Sequence, residues 1–372
     1  AHADTCGAVP HDGDLMHRRA RKPALLLALL IATIGSMSLP ATGWASEPDE
    51  PAPYHRRHFD LVDLPFDRLP WTSDNPPALD VPRPVDKKGI ALFRWIDDAL
   101  YYRPGSVAIN GMKRIDAFRD TGDISQLEQA LVQADHLREM AIEEDDAWWL
   151  PFWFDYPPEG LTAPWYNAMS QGLGLSFFVR LHRVTGDDAH LDAAERIFES
   201  YRRLGRVKGG GDRPWISYVA NGGYLWLEHY PSRRPDHVLY AHLHSLIGLY
   251  EYWQHTRSPE ARNLLEGALT TVRDRADSYR REGKVSLYGL RSRTKHFKYH
   301  QVHIWQLRLL SRMTGDPFFR ELADDMAQDA VANRDVAGRP VESRMRVVPS
   351  KAPQANRLSH YPLVPEDYEL AA

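Results

Sequence analysis

Two tyrosines, Tyr288 and Tyr299, bracket a stretch of the chain that is dense in groups able to hold or move a proton. The stretch also carries four cations and three histidines, namely Arg291, Arg293, Lys295, Lys298, His296, His300 and His303. A phenolate is a strong base, and neighbouring cations make a phenolate easier to form. This combination suits proton removal from a weak carbon acid that bears a negative charge, and a uronic acid sugar is such a compound.

A second group of ionisable residues occupies three consecutive positions, Glu228, His229 and Tyr230, just before Pro231. In an extended segment, residues two apart project to the same side, so we expect Glu228 and Tyr230 to face a common space. Taken alone, such a run also fits the polar end of an ordinary strand.

The histidines of the first stretch raise the question of a metal. His296, His300 and His303 could supply three imidazole ligands. No acidic ligand completes the set nearby, and the flanking cations would repel a metal ion. The sequence therefore predicts no metal site.

Composition excludes several classes of protein. The net charge of −4 disfavours nucleic acid as a partner, although local basic clusters can still hold an acidic polymer. The single cysteine, Cys6, excludes a disulfide framework and a cysteine-based metal site in the body of the chain.

The N-terminal part has the pattern of a secretory signal peptide that begins at Met16. A basic stretch is followed by the apolar run 24–34 and by small residues before Ala45. The run is too short to span a bilayer. We expect residues 1–45 to be removed, and the mature chain, without a membrane span, to be exported to a bacterial periplasm or exterior.

A repeated turn organises the rest of the chain. Thr-Gly-Asp occurs at 121–123, 185–187 and 314–316, with Thr-Arg-Ser at 256–258, and apolar residues at helical spacing flank each turn. Glycine supplies a left-handed helix end, and Asp or Ser caps the next helix.

These turns predict a mainly α fold with about four helical hairpins. An (α/α) toroid or incomplete barrel, over residues 91–340, is favoured over an α-solenoid because long connections between hairpins can build a binding face. Residues 46–90, rich in proline and acidic groups, are expected to form an extended lead-in, and residues 341–372 a tail.

Short β-hairpins are expected at the binding face. Segments 215–219 and 224–228 flank Asn221-Gly222-Gly223, which is typical of a hairpin turn, and segment 285–290 predicts another short strand. The aromatic run 148–156 either stacks against sugars or fills the centre of the toroid.

Five segments, in the same order, resemble motifs of the C-terminal catalytic domain of the D-glucuronyl C5-epimerase family. They are 165–172 (W-Y-N-A-M-S-Q-G against W-Y-S-A-M-A-Q-G), 226–232 (W-L-E-H-Y-P-S against W-Y-E-E-Y-P-T), 237–250 (against V-L-N-G and S-L-I-G-L-Y-D), 288–291 (Y-G-L-R against Y-D-L-R) and 299–307 (against Y-H-T-T-H-I-N-Q-L). The family converts D-glucuronate to L-iduronate within a polysaccharide such as heparosan.

The resemblance implies which residues do the chemistry. It places the catalytic tyrosines on Tyr230, Tyr288 and Tyr299 and the catalytic arginine on Arg291, and we add Glu228 to this set. We expect the substrate-binding set to be His229, His300, His303, Trp165, Tyr166, Asn167, Gln171, Arg293 and Lys298. One departure matters: His229 replaces the glutamate directly before the tyrosine, so the task of that glutamate falls to Glu228, His229 or Tyr230.

Inversion at C5 requires proton removal on one face of the sugar and proton delivery on the other. Tyr299 would serve one face and Tyr230, with Glu228 or His229, the other, while Arg291 holds the substrate carboxylate. Tyr288 would bond to that carboxylate or to a ring hydroxyl, and His300 and His303 would tune Tyr299. No cofactor is expected because no redox change occurs.

Other functions remain open from sequence. A uronate polysaccharide lyase shares the first proton transfer, and glycoside hydrolysis would need two facing carboxyl groups such as Glu228 and Asp155. A glycan-binding or export protein without catalysis is a third reading. The expected partner is an acidic polysaccharide, and the oligomeric state is open, including a homodimer.

Overall fold

The computed structural model describes residues 52–69, 84–95, 98–205 and 213–332. The expected signal peptide and C-terminal tail lie outside these ranges. The described chain contains four pairs of α-helices: α1 Pro104–Thr121 and α2 Ile124–Met140, α3 Ala168–Thr185 and α4 Asp188–Arg202, α5 Leu239–Thr256 and α6 Pro259–Arg275, α7 Phe297–Thr314 and α8 Pro317–Ala332. Within the described ranges, we find no helix with the length and apolar character needed to cross a membrane.

Each pair is joined by the predicted turn, and the turn repeats the same hydrogen bonds. The hydroxyl of Thr121 donates to the carbonyl of Ala117 and accepts from the backbone N–H of Asp123. Equivalent bonds are made at Thr185, Thr256 and Thr314. The left-handed residue is glycine in three turns, and Arg257, with φ of 59°, takes that conformation in the third.

The first helices of the four pairs form the inner layer of an incomplete (α/α) toroid, which confirms the predicted fold class. Helix α3 packs between α1 and α5, α5 also packs on α7, and each second helix covers its own partner. Glycine permits the close approach of α3 and α5, because a Cβ on Gly248 would lie 2.3 Å from the carbonyl oxygen of Gly172.

A buried ion pair also joins these two inner helices. Arg180 of α3 donates through Nε and Nη2 to the two carboxylate oxygens of Glu251 of α5, both at 2.8 Å. Both side chains are fully buried. Asp116 of α1 lies beside this pair and is also buried, so three helices share one charged cluster inside the toroid.

Three two-stranded antiparallel hairpins precede the inner helices. They are β1 Leu92–Arg94 with β2 Leu100–Tyr102, β3 Ile142–Glu144 with β4 Ala147–Trp149, and β5 Ser217–Ala220 with β6 Tyr224–Leu227. The β5–β6 hairpin is the one predicted at Asn221-Gly222-Gly223. Because each hairpin leads towards the N-terminus of an inner helix, all three belong to the same end of the toroid.

The strand predicted at residues 285–290 is wrong. The segment makes only isolated bridges, Val238 with Gly289 and Leu287 with Lys295. Its backbone N–H groups bond in turn to Tyr279, Thr294 and Asp236, so no continuous ladder with a single neighbour forms.

The aromatic run 148–156 mostly fills the interior. Trp149 and Phe152 are almost fully buried, and Phe152 stacks on Trp165 with ring centroids 4.2 Å apart. Tyr156, at the end of the run, is only partly buried and contacts Tyr230. The run therefore builds the core under the site and contributes one residue to the site itself.

Candidate active site

Tyr230, Tyr288 and Tyr299 meet at the hairpin end of the toroid. The hydroxyl oxygens of Tyr230 and Tyr288 are 3.3 Å apart, and the rings of Tyr288 and Tyr299 lie 4.8 Å apart. Tyr230 follows the end of β6, Tyr288 lies in the loop before α7, and Tyr299 is in the first turn of α7. Three separate elements thus bring the phenols together.

The loop that carries Tyr288 and Arg291 is fixed by Asp236. The carboxylate of Asp236 accepts from the backbone N–H and the hydroxyl of Ser292, at 2.6 and 2.7 Å. Its backbone oxygen accepts from Leu290, and Leu239 donates to Tyr288. Asp236 fills the space that a side chain at Gly289 would need.

Burial controls the protonation of two of the three phenols. Desolvation raises the pKa of Tyr230 and of Tyr288 well above the usual value, and neighbouring phenols add to the effect. Both therefore remain protonated near neutral pH and can donate hydrogen bonds or a proton. Tyr299 is partly exposed, with Lys298 Nζ 6.0 Å from its ring and the His296 ring at 5.3 Å.

Arg291 forms an ion pair with Glu159, which follows Tyr156 in the short 3-10 turn Pro157–Glu159. The side chain of Arg291 is 33% exposed and that of Glu159 13% exposed. Burial raises the pKa of Glu159, and Arg291 acts against that shift. The guanidinium is thus held at the site by a carboxylate of the protein.

Glu228 does not face the tyrosines in the way that the sequence suggests. Its carboxylate is fully buried and accepts from His237 Nδ1 at 2.7 Å. His237 in turn stacks on Trp226 and lies next to Tyr218. Because β6 ends at Leu227, the alternation of an extended strand does not continue, and the side chains of Glu228 and Tyr230 have separate partners.

His229 contacts the cluster from behind. Its Nε2 lies 2.9 Å from the phenol oxygen of Tyr240, the second residue of α5. Tyr240 in turn contacts Tyr299 and Tyr288, with ring centroids 4.4 and 5.4 Å apart. Burial lowers the pKa of His229 well below the usual value, so the imidazole is neutral.

The hydrogen bonds of His300 and His303 go to residues other than Tyr299, which the sequence predicts them to tune. Both are buried, and His303 lies one turn after Tyr299 on α7. His300 Nδ1 accepts from the backbone N–H of Ser286, and its Nε2 donates to the carbonyl of Met326 at 2.9 Å. His303 bonds to the hydroxyl of Ser286, and burial lowers its pKa to about 3.

The residues 165–171 support the site from below. Asn167 caps α3 by accepting from the N–H of Ser170, and Gln171 bonds to Leu150, Trp148 and Ser200. Both are fully buried.

Two aromatic residues and two cations complete the predicted set. Trp165 lies 6.3 Å from the ring of Tyr230, whereas Tyr166 contacts Trp149. Arg293 and Lys298 are exposed, at the same end as the tyrosines.

Sequence reasoning missed three residues of the cluster. Tyr156 stacks on Tyr230 with centroids 4.9 Å apart, Glu159 pairs with Arg291, and Tyr240 joins His229 to the other phenols. Tyr156 closes the aromatic run and Tyr240 lies on an apolar helical stripe, so both had the pattern of core residues. Only their tertiary contacts show that they belong to the tyrosine cluster.

Within the described ranges, we find no cluster of three or more His, Asp or Glu side chains that could hold a metal. A cavity of about 470 Å³ lies between the β3–β4 turn and the end of α4. It is lined mainly by Asp145, Arg203, Arg213 and Trp215 and by none of the clustered tyrosines. The tyrosine cluster is therefore a separate feature.

Residues 144–328 match the family described as D-glucuronyl C5-epimerase C-terminus. A D-glucuronyl C5-epimerase of Caenorhabditis elegans is 25% identical over 183 residues, which cover 44% of this chain and 28% of that protein. A protein of Methanocaldococcus jannaschii is 24% identical over 166 residues, which cover 45% of this chain and 53% of that protein.

Among solved structures, the chain is similar to a cellobiose 2-epimerase of Bacillus thermoamylovorans, with 11% identity and a TM-score of 0.48, over 70% of this chain and 69% of that one. A GH76 α-mannanase of Bacteroides thetaiotaomicron gives 13% identity and a TM-score of 0.44, over 68% and 70%. The match to curated relatives covers about half of their length or less.

Proposed function

Because this chain belongs to the D-glucuronyl C5-epimerase family through residues 144–328, we propose that it inverts C5 of D-glucuronate residues to L-iduronate within an acidic polysaccharide. The polymer would be heparosan or another glucuronan. The observation that supports this most is the meeting of Tyr230, Tyr288 and Tyr299 at one end of the toroid, with Arg291 on the same loop as Tyr288.

Inversion needs a base and an acid on opposite faces of the sugar ring. Tyr299, the most exposed of the three phenols, would act as phenolate and take the C5 proton, so that a C–H bond breaks and an O–H bond forms. Tyr230, kept protonated by burial, would deliver its proton to the other face and be left as phenolate. Both phenols then exchange protons with solvent.

The intermediate carries a second negative charge, spread over C5 and the carboxylate. Arg291 can form two parallel hydrogen bonds to such a carboxylate and stabilise the developing charge. Glu159 now holds this guanidinium, so the substrate carboxylate would have to share or displace the Glu159 carboxylate. Tyr288, a protonated donor, would bond to Tyr230 or to a substrate oxygen.

The test is isotope exchange at C5. A glucuronate polymer such as heparosan is incubated with the protein in D2O, and NMR follows deuterium at C5 and the appearance of L-iduronate. Tyr299→Phe should abolish both while the fold persists by circular dichroism. If the wild-type protein gives neither deuterium at C5 nor L-iduronate on any glucuronan, the proposal fails.

The same experiment separates the rival functions. A lyase would cleave the chain and leave an unsaturated uronate that absorbs in the ultraviolet. Hydrolysis is not favoured, because Glu228 is buried against His237 while Asp155 is exposed and accepts from the backbone N–H of Ala163. Binding that is unaffected by Tyr299→Phe and gives no exchange would support a non-catalytic role.

A further inference from the structure

The contact between His229 and Tyr240 joins two positions at which this chain departs from the motifs that it resembles. His229 stands at the second glutamate of W-Y-E-E-Y-P-T, and Tyr240 stands at the asparagine of V-L-N-G. The two side chains lie 2.9 Å apart, from Nε2 to the phenol oxygen. Because the two residues that differ from the motifs contact each other, we interpret them as one functional pair.

Tyr240 lies between the imidazole and the phenol that faces the site. Tyr299 is partly exposed, whereas Tyr240 is 6% exposed and His229 3% exposed. The ring of Tyr240 is 4.4 Å from that of Tyr299 and 5.4 Å from that of Tyr288, and its phenol group is close enough to interact with both. Contacts therefore run from Tyr299 through Tyr240 to His229, whose ring also packs on Tyr230 with centroids 4.3 Å apart.

The second nitrogen of His229 decides the direction of the hydrogen bonds. Nδ1 is buried and has no hydrogen-bond partner among the described residues. A buried N–H without an acceptor is rarer, and less favourable, than an unpaired lone pair. Nε2 therefore carries the hydrogen and donates to the Tyr240 oxygen, which leaves the hydroxyl of Tyr240 free to donate towards Tyr299.

The charges around the pair agree with a neutral donor. Arg103 and His244 face His229, and Arg103 also faces Tyr240. A cation at Arg103 opposes an imidazolium and favours negative charge on a nearby phenol. Glutamate at position 229 would instead place a carboxylate beside Tyr240, and a carboxylate accepts hydrogen bonds without donating one.

We infer that His229 and Tyr240 are positioning residues that stabilise the phenolate of Tyr299. His229 Nε2–H donates to the Tyr240 oxygen, and the Tyr240 hydroxyl donates to the Tyr299 oxygen after its proton has left. This deepens the proposed function and rests on it, because Tyr299 acts as the base there. In this arrangement, the task of the glutamate that His229 replaces is taken over by the neutral hydrogen-bonded pair of His229 and Tyr240, and not by Glu228.

The test is the pH profile of kcat/KM for C5 exchange in variants that keep the shape of the site. Tyr240→Phe should lower kcat/KM near neutral pH by about 10- to 100-fold, as expected for loss of a hydrogen bond to a charged group. The loss should shrink as the pH rises, because more phenolate then forms without help. His229→Leu should act likewise, and His229→Gln, which keeps an N–H donor, should recover part of the rate.

The double variant and a matched control separate this role from a structural one. Since His229 acts through Tyr240, adding His229→Leu to Tyr240→Phe should cost little more. Tyr250→Phe removes a buried phenol on the same helix, one that bonds to Val62 and Leu64, and should leave the profile unchanged. The inference would be overturned if kcat/KM fell by the same factor at every pH. It would also be overturned if the double variant lost the product of the two single-variant factors.

A second readout does not require activity. Phenolate absorbance is titrated in the wild-type protein, and the step that disappears in Tyr299→Phe is assigned to Tyr299. This step should move to higher pH in Tyr240→Phe and in His229→Leu, and an unmoved step overturns the inference. If the wild-type protein shows no C5 exchange, the proposed function fails, and the absorbance result still decides the role of the pair.

Discussion

The phenol oxygens of Tyr230 and Tyr288 lie 3.3 Å apart, although 58 positions separate the two residues in the chain. Both rings are buried, and Tyr230 also stacks on Tyr156. Burial keeps both phenols protonated, so this pair can supply a proton but is poorly suited to remove one. The cluster thus divides into a donor side and the more exposed Tyr299.

This division predicts a specific isotope result for Tyr230→Phe. The variant keeps Tyr299, so C5 of one epimer should still exchange with D2O by removal and return of a proton on the same face. Inversion should fall by at least about 100-fold, since general acid catalysis contributes about 10²–10⁴-fold. Exchange without inversion, followed by NMR from both glucuronate- and iduronate-containing polymers, checks the assignment.

A matched control is Tyr201→Phe, which removes another buried phenol, one that donates to the carbonyl of Ala168. It should affect stability and leave the ratio of exchange to inversion unchanged. Loss of exchange from both epimers in Tyr230→Phe would contradict the assignment of Tyr230 as the acid.

The ion pair between Glu159 and Arg291 predicts an effect on substrate affinity. In Glu159→Gln the guanidinium has no competing carboxylate, so an acidic polymer should bind more tightly and KM should fall several-fold. Arg291→Lys keeps the charge but loses the paired donors, so kcat/KM should fall by about 100-fold. Steady-state kinetics of C5 exchange measure both.

Asp155→Asn is the control for Glu159→Gln, because it removes an exposed carboxylate from the same loop. If affinity for the acidic polymer rises only because the protein has less negative charge, KM should fall in both variants. An unchanged or higher KM in Glu159→Gln would show that Glu159 orients Arg291 and does not compete with the substrate.

The hairpins could be predicted because their determinants are local. A threonine, a left-handed residue and a capping Asp or Ser recur in each turn, and the hydrogen bonds repeat with them. The segment 285–290 could not be predicted in the same way. Its apolar alternation is real, but Asp236 and Thr294 take its backbone groups, and these partners are set by tertiary structure.

The site shows the same division between local and tertiary signals. Tyr230, Tyr288 and Tyr299 could be singled out by type and resemblance, whereas Tyr240 has the spacing of a core residue and is identified by its contact with His229. His300 and His303 share a helix face, as their spacing implies, but their hydrogen bonds go to Ser286 and Met326.

Gly289 is predicted to be intolerant of a side chain, because Asp236 occupies the space beside it. A Cβ at Gly289 would lie 2.1 Å from Asp236 Oδ2. Gly289→Ala should lower the free energy of unfolding by about 1–3 kcal/mol, the usual cost of overpacking, and should displace Tyr288 and reduce activity. Urea unfolding and C5 exchange measure the two effects.

Gly283→Ala gives a comparison in which the added Cβ meets no neighbour, although its φ of 67° carries some strain. The double variant Gly289→Ala with Asp236→Ala should recover part of the packing. If Gly289→Ala is as stable as the wild-type protein, the loop is not held against Asp236 as described.

Asp116 gives the toroid a pH-dependent stability. Burial raises its pKa to about 6, with Arg180 and Arg119 opposing the shift, and its Oδ1 has no hydrogen-bond partner among the described residues. The pKa of an aspartate in the unfolded chain is about 3.9. Between about pH 4 and pH 6, Asp116 is therefore protonated in the folded state and ionised in the unfolded chain. This contribution to the free energy of unfolding is present below pH 4 and is lost as the pH rises through 6.

Asp116→Asn should therefore become more stable relative to the wild-type protein as the pH rises, by about 3 kcal/mol between pH 4 and pH 7. The change should show in urea unfolding at the two pH values, since asparagine does not titrate. Asp120→Asn removes an exposed carboxylate of the same helix that adds only a minor part of the Asp116 shift, so it should change the difference between the two pH values much less than Asp116→Asn does. An equal pH dependence in the wild-type protein and Asp116→Asn would mean that Arg180 keeps Asp116 ionised in the folded state throughout this range.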